Sequence, residues 1–308
     1  MDAHALQVLE FDRVKDGLAR RCVCELGRRV VRDLLPATDP ERILVSLRQT
    51  DDARALIDQG EPLPIAGITD IHGLMGRAHD EGRSFEPSEL LELSKTLRRA
   101  VDLRAWIRAR AATVSQLAIF AERLTEPKAW IDAIDRVVEA PGVVQDSASD
   151  RLWQIRADVR KLEDTIRAKL LELVEHKDVK PALQTPNFTI RNGRFCLPVR
   201  LDMKSRVPGI LHDRSQTGAT AFVEPSQIVP QSNALKELKH EEKKEETRIL
   251  WELTRELFAA RHPIMGVAHW LAWLDFTAAK GLQSAAGGMR AAQLAPDGVL
   301  KLGTARHP

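Results

Sequence analysis

"RNGRFCLPVRLDMKSRVPGILHDRSQTGATAFVEP", running from Arg191 to Pro225, interrupts a chain that otherwise reads as helix. Asn192-Gly193 is a preferred two-residue hairpin turn, because both residues tolerate positive φ. Phe188 and Ile190 alternate with polar residues before it, and Phe195, Leu197 and Val199 alternate after it. That period of two predicts a pair of antiparallel strands, each with one apolar face. "GILHDRS" and "GATAFVEP" predict two more short strands, separated by a turn at Gln216-Thr217-Gly218. A small antiparallel sheet is therefore expected over about 187–224.

The flanks explain what carries it. From Ser149 to about Lys177 the apolar residues are Leu152, Ile155, Val159, Leu162, Ile166, Leu170 and Leu173. Their spacing of three and four makes a heptad seam that needs one partner helix. The partner lies beyond the insert, starting at Ser226 or Asn233, with Leu235, Leu238, Ile249, Leu250, Leu253 and Leu257 as its seam. Between these, "HEEKKEE" is polar all round and reads as a solvated face or a projecting arm. An antiparallel two-helix arm with the sheet at its far end is the simplest arrangement.

Toward the amino terminus, Leu9, Val14, Leu18, Val23, Leu26, Val30 and Val31 recur as one helical face up to Pro36. Asp39 before Pro40 opens a second helix that closes at Gly60, and Asp70 or Thr69 caps a shorter one over 69–80. A long helix runs from Pro87 to Ala112, shorter helical pieces fill 113–140, and Pro141-Gly142 ends the series. The fold expected is mainly α. A helical core or lever occupies 1–146 and a clamp arm 147–262, with helices at about 148–178 and 226–262. Returning core helices and a stub occupy 263–308.

The formal charge is +2, so the chain as a whole does not advertise a polyanion partner and any basic patch must be local. Three cysteines do not make a disulfide framework, and Cys22-x-Cys24 lacks further ligands for zinc; two buried thiols on a helix are expected. No leader-like start and no long apolar run is present, which points to a cytoplasmic protein with no membrane partner. The nine histidines are scattered. His212 beside Asp213 suggests a base with its orienting carboxylate, but strand alternation separates the two unless a bulge intervenes. Trp251, Trp270 and Trp273 are expected to lock the arm to the core.

The segment "RNGRFCLPVR…VPGILHDRSQTGATAFVEP…NALKEL" resembles the clamp of the second bacterial MutS-like family. That family has the MutS core, lever, clamp and ATPase but no mismatch-recognition domain. "LEFDRVKDGLARRCVCELGRRVVRDLLP" and "GITDIHGLMGRA" are similar to its amino-terminal core, and Arg306-His307-Pro308 matches the "RHP" of the strand entering its ATPase. The resemblance implies that the chain is the amino-terminal part of a longer protein with ATPase and Smr nuclease domains. No G-x-x-x-x-G-K-[ST] occurs here, so no catalysis and no cofactor are expected of this segment. ATP and Mg2+ are implied for the ATPase, which also implies a homodimer. Val101-Asp102-Leu103-Arg104 superficially resembles an acidic nuclease motif of the family, but it lies in a helical run where Val101 and Leu103 read as packing residues.

Six basic residues in the insert, Arg191, Arg194, Arg200, Lys204, Arg206 and Arg214, face three acidic ones, Asp202, Asp213 and Glu224. Phosphates are bound by such point charges and guanidinium forks, with Ser215, Gln216 and Thr217 as neutral donors. No recognition helix and no aromatic platform is legible, so the expected contact is to the nucleic-acid backbone without sequence preference. The resemblance implies duplex or branched DNA and suppression of recombination. A module that binds ribosomes or rRNA in a factor splitting collided ribosomes is the alternative, and a structural coiled-coil scaffold is another. Arg191 and Arg194 flank the hairpin turn, so reversing both charges is expected to weaken binding without changing thermal unfolding.

Overall fold

The computed structural model describes residues 3–80, 82–295 and 301; the expected "RHP" stub lies outside them. The chain divides into two compact units, Met1–Val143 with Leu250–Pro308, and Val144–Ile249. It is mainly α, with two small antiparallel sheets. In order come α1 (Ala3–Val8), α2 (Phe11–Ala19), α3 (Glu25–Arg32), α4 (Pro40–Asp58), α5 (Ile71–Asp80), α6 (Pro87–Arg108), α7 (Ala118–Arg123) and α8 (Lys128–Asp135). A ribbon of β1 (Val138–Glu139) and β2 (Val143–Val144) precedes α9 (Asp150–Glu175). Then follow β3 (Thr189–Arg191), β4 (Arg194–Arg200), β5 (Gly209–Arg214), β6 (Thr220–Pro225), α10 (Val229–Ala259) and α11 (Arg261–Gly287).

In the first unit α11 is the hub. Its residues Ile264, Val267, Leu271, Leu274, Phe276 and Ala279 are buried, and it packs on helices from α2 to α7. The returning core is thus one helix, closed by Gly288 in the left-handed region at φ 59°. The single amino-terminal helical face expected over Leu6–Leu35 is instead three helices. Glu10 breaks the first run at φ 49°, and the second break falls at 20–24. There the buried Asp275 of α11 accepts the backbone N–H groups of Val23 at 2.9 Å and Cys24 at 3.0 Å. Helix α3 has no side-chain cap of its own, so a carboxylate some 250 residues distant satisfies donors at its amino end. Cys22 and Cys24 are buried, but in this turn and not on a helix. Burial, then the charge of Asp275, pushes both thiols up to about 12, so both stay protonated. Trp270 packs edge-on against Phe120, and Trp273 against Phe276, whereas Trp251 is 41% exposed. Trp270 and Trp273 thus pack within the first unit, and these contacts are not the lock between arm and core that was expected of all three.

In the second unit α9 and α10 run antiparallel, because contacts pair early α9 with late positions of α10 and later α9 with earlier ones: Ser149 with Glu245, Arg156 with Glu242, Glu163 with Lys239. Leu152, Ile155, Val159, Ile166, Leu170 and Leu173 are buried along the α9 seam. Helix α10 starts at Val229, so Asn233 lies inside it and not at its cap. The largest departure is "HEEKKEE" at 240–246. Glu242 and Glu246 bind the Arg156 guanidinium at 2.7 Å each, and Asp146 takes it at 2.6 Å. Arg156 also donates to the carbonyl of Val144. Burial opposes its charge, but the bonds to Glu242 and Asp146 outweigh that and hold it protonated. Glu245, 2% exposed, accepts from Ser149 and Arg248. A stretch without apolar residues thus faces its partner helix through charge-assisted hydrogen bonds.

The four-stranded sheet has the order β3-β4-β6-β5, all pairs antiparallel. Asn192 and Gly193 take φ 50° and 72°, the left-handed pair the hairpin turn requires. Phe195, Leu197 and Val199 of β4, with Ala221 and Val223 of β6, pack in one core with Ile166, Leu170, Leu173 and Leu235 of the helix pair.

Two outcomes follow. A Cβ at Gly27 would lie 2.2 Å from Asp275 Oδ2, so Gly27→Ala should lose the interhelical cap and about 2–4 kcal/mol in urea unfolding. Glu245 is lowered to about 2, first by its hydrogen bond to Arg248. A depressed carboxyl adds stability that is present above its unfolded value and lost on acidification. The stability gap between the native chain and Glu245→Gln should therefore be up to about 3 kcal/mol at pH 7 and close as pH falls from about 4.5 to 2.

Candidate nucleic-acid interface

Strand alternation decides where each arginine goes. With residues 195, 197 and 199 turned to the helices, Arg194, Cys196, Pro198 and Arg200 share the other face of β4. Cross-strand partners share a face, so Arg191, opposite Arg194, and Phe222, opposite Pro198, join them. Strand β5 has a bulge between Leu211 and Asp213, after which Asp213 pairs with Phe222. The bulge removes the alternation that was expected to separate His212 from Asp213. Even so, the partner of His212 is Glu224, not Asp213.

Glu224 organises this outer face. Its side chain is 1% exposed and meets His212 Nε2 at 2.6 Å and Arg194 Nη1 at 3.4 Å. Arg194 also donates to Asn233 Oδ1 of α10 at 2.8 Å. Both Arg194 and His212 have side chains 19% exposed. A carboxylate shielded from water this completely needs its hydrogen-bond partners, so Arg194 is committed to the sheet and to α10. This corrects the expectation that Arg194 stands at the hairpin tip with its charge available. Burial, then the charge of Glu224, also pushes the Cys196 thiol up to about 11.

The remaining basic residues lie differently. Arg191 is exposed, and its guanidinium sits 4.4 Å from the centre of the Phe222 ring. Arg200 is half-buried with Nη2 against the Met203 thioether at 2.6 Å, and its buried Nε has no acceptor among the described residues. Lys204 and Arg206 lie on the 3-10 turn Leu201–Arg206, half-buried and exposed respectively. Arg214 is exposed at the end of β5. Register places Arg200 opposite Thr220 and Arg214 opposite Ala221, so both lie at the end of the sheet that bears the 215–219 turn. In that turn Ser215 Oγ accepts from Thr220 N at 3.1 Å, which leaves Gln216 and Thr217 exposed. The Asn192-Gly193 turn is at the opposite end, beside α10. The six basic residues therefore do not form one row. Arg191 and Arg200 share the outer face, Arg214 joins the far turn, and Arg194 is internal.

Sequence reading missed Phe222, Glu224 and Asn233 as parts of this arrangement. Phe222 was legible only as one apolar residue of a strand; its pairing with Arg191 spans two neighbouring strands. Among the described residues no group of three His, Cys, Asp or Glu is placed to hold a metal ion. Asp102 of the nuclease-like tetrad is exposed on α6 and pairs with Arg99 within its own helix; Leu103 is buried as expected, but Val101 is 40% exposed. No helix among the described residues is long and apolar enough to cross a membrane.

A helix pair carrying such a sheet is the architecture that the resemblance implied, and the relatives that match the chain carry the MutS2 name. The chain is 34% identical to a protein called Endonuclease MutS2 from Geobacillus thermodenitrificans over 313 residues, covering 100% of this chain and 40% of that protein. It is 33% identical to the Endonuclease MutS2 of Symbiobacterium thermophilum, covering 100% and 38%, and 34% identical to that of Bacillus cytotoxicus, covering 98% and 39%. The chain is thus homologous along its whole length to the MutS2 proteins, as a segment spanning about 40% of the relatives it matches. No protein-family profile matches it.

Removing one member of the buried pair separates structural from exposed arginines. Arg194→Met should cost about 3–5 kcal/mol in urea unfolding, because it strands Glu224, whereas Arg191→Met should change stability by less than about 1 kcal/mol.

Proposed function

We propose that this segment is the nucleic-acid-gripping clamp and lever part of a MutS-like ATPase, holding the sugar–phosphate backbone without reading base sequence. The observation that carries it is the pairing state of the clamp's cations. Arg191, Arg206 and Arg214 are exposed and, among the described residues, no carboxylate pairs with them. In the same unit Arg156 and Arg194 are, by contrast, paired with carboxylates. Guanidinium groups left without counter-charges on an ordered sheet suit phosphate oxygens, and the hydroxyl and amide of Thr217 and Gln216 add neutral donors. The name of the relatives, endonuclease, agrees with a nucleic-acid partner.

In this reading the partner is duplex or branched DNA, and the role of the longer protein is to suppress recombination. Two copies, joined through an ATPase that takes ATP and Mg2+, close their clamps around it. The segment itself supplies grip, in keeping with a sequence that has no phosphate-binding glycine loop.

Titrating a labelled four-way DNA junction, a linear duplex and ribosomes at several salt concentrations tests this. Three or four phosphate contacts give a log–log salt slope of about −3 to −4. The double variant Arg191→Glu with Arg214→Glu should bind the junction at least about tenfold more weakly, with an unchanged unfolding midpoint. Unaltered affinity would refute the phosphate assignment, and binding to ribosomes alone would replace DNA with rRNA as partner.

A further inference from the structure

The outer face of the sheet carries more than charge. The Phe222 ring is half-buried, flanked across β4 by Pro198 and across β5 by Asp213, and covered on one side by the Arg191 guanidinium. Arg191 is exposed and has no carboxylate partner among the described residues. Arginine planes and aromatic rings are the two surfaces on which proteins stack unpaired bases. Here the two lie 4.4 Å apart, guanidinium carbon to ring centre.

The neighbouring charges distinguish a base from a phosphate at this spot. Asp213, exposed, stands directly opposite Phe222 in the register. A carboxylate there repels a phosphodiester but accepts hydrogen bonds from the exocyclic amino and ring N–H groups that an unpaired base presents. Phosphate is left to the exposed Arg214 beside the 215–219 turn, with which no carboxylate pairs among the described residues. Glu224 lies on the same face as the platform, and by holding Arg194 Nη1 and His212 Nε2 it fixes the polar side of β4 and β5.

We infer that Arg191, Phe222 and Asp213 form a binding site for an unpaired nucleobase, so that the clamp prefers nucleic acid containing single-stranded or looped nucleotides over a fully paired duplex. This rests on the backbone-gripping reading above and adds a second, separable contact to it. Both deoxyribose and ribose strands present the same stacking face, and DNA and RNA versions of the probe distinguish them.

The test uses the 308-residue chain with a fully paired 25-mer and the same duplex bearing a five-nucleotide unpaired loop, with 2-aminopurine at the loop's centre. Stacking should quench the probe's fluorescence further on binding, and the looped duplex should bind about tenfold more tightly than the paired one. Arg191→Lys keeps the charge and removes the plane. It should remove the tighter binding of the looped duplex, so that the looped-to-paired affinity ratio falls to about one. Asp213→Asn, which keeps the hydrogen-bonding shape, should keep the quench and strengthen paired binding. If both duplexes bind with the expected salt slope but equal affinity, the stacking site is wrong and the backbone reading survives. If Arg191→Lys leaves the looped-to-paired affinity ratio unchanged, Arg191 serves phosphate alone and the inference fails. If neither duplex binds, both proposals fall.

Discussion

One face of the four-stranded sheet must be covered, and two helices from either side of it in sequence supply the cover. Because side chains alternate along a strand, turning Phe195, Leu197, Val199, Ala221 and Val223 toward α9 and α10 leaves no choice about their neighbours. Arg194, Pro198, Arg200, Phe222 and Glu224 must all occupy the opposite face. A slip of one residue would bury the arginines among leucines, so the apolar core fixes the position of the charged groups that β4 and β6 carry. The chemistry of the outer face is thus a consequence of packing on the inner one.

Charge is used in two distinct ways. Where α9 and α10 meet without apolar residues, Arg156 gathers Asp146, Glu242 and Glu246, and Glu245 takes Ser149 and Arg248. Within the sheet, Glu224 is sealed from water and holds Arg194 and His212. These ionic groups are satisfied internally; removing any one leaves a partner desolvated and uncompensated. Arg191, Arg206 and Arg214 are different, being exposed and without a carboxylate partner among the described residues. Within this unit, that contrast separates the guanidinium groups committed to the fold from those that remain available.

Local signals performed well wherever the determining interaction is local. Asn192-Gly193 set a hairpin, Asp39 and Pro40 opened α4, and the α9 seam is buried where its spacing placed it. They failed where the decisive partner is remote. Periodicity could not show that Asp275 would cap α3 and so divide the amino-terminal run into separate helices. Nor could a polar run such as 240–246 be told from a solvated face, since the same glutamates serve either role until an arginine opposes them.

The sequence by itself determined a mainly helical chain with a basic antiparallel insert between two long seams, because turns, caps and periodicities are encoded within a few neighbouring residues. It also determined which side chains bring charge to the insert. Only the tertiary structure decided which of those charges are spent inside: Arg194 meets Glu224 across the sheet, and Arg191 meets Phe222 two strands away. Such pairings depend on register, twist and a bulge, which set distances between residues far apart in sequence and therefore leave no local trace.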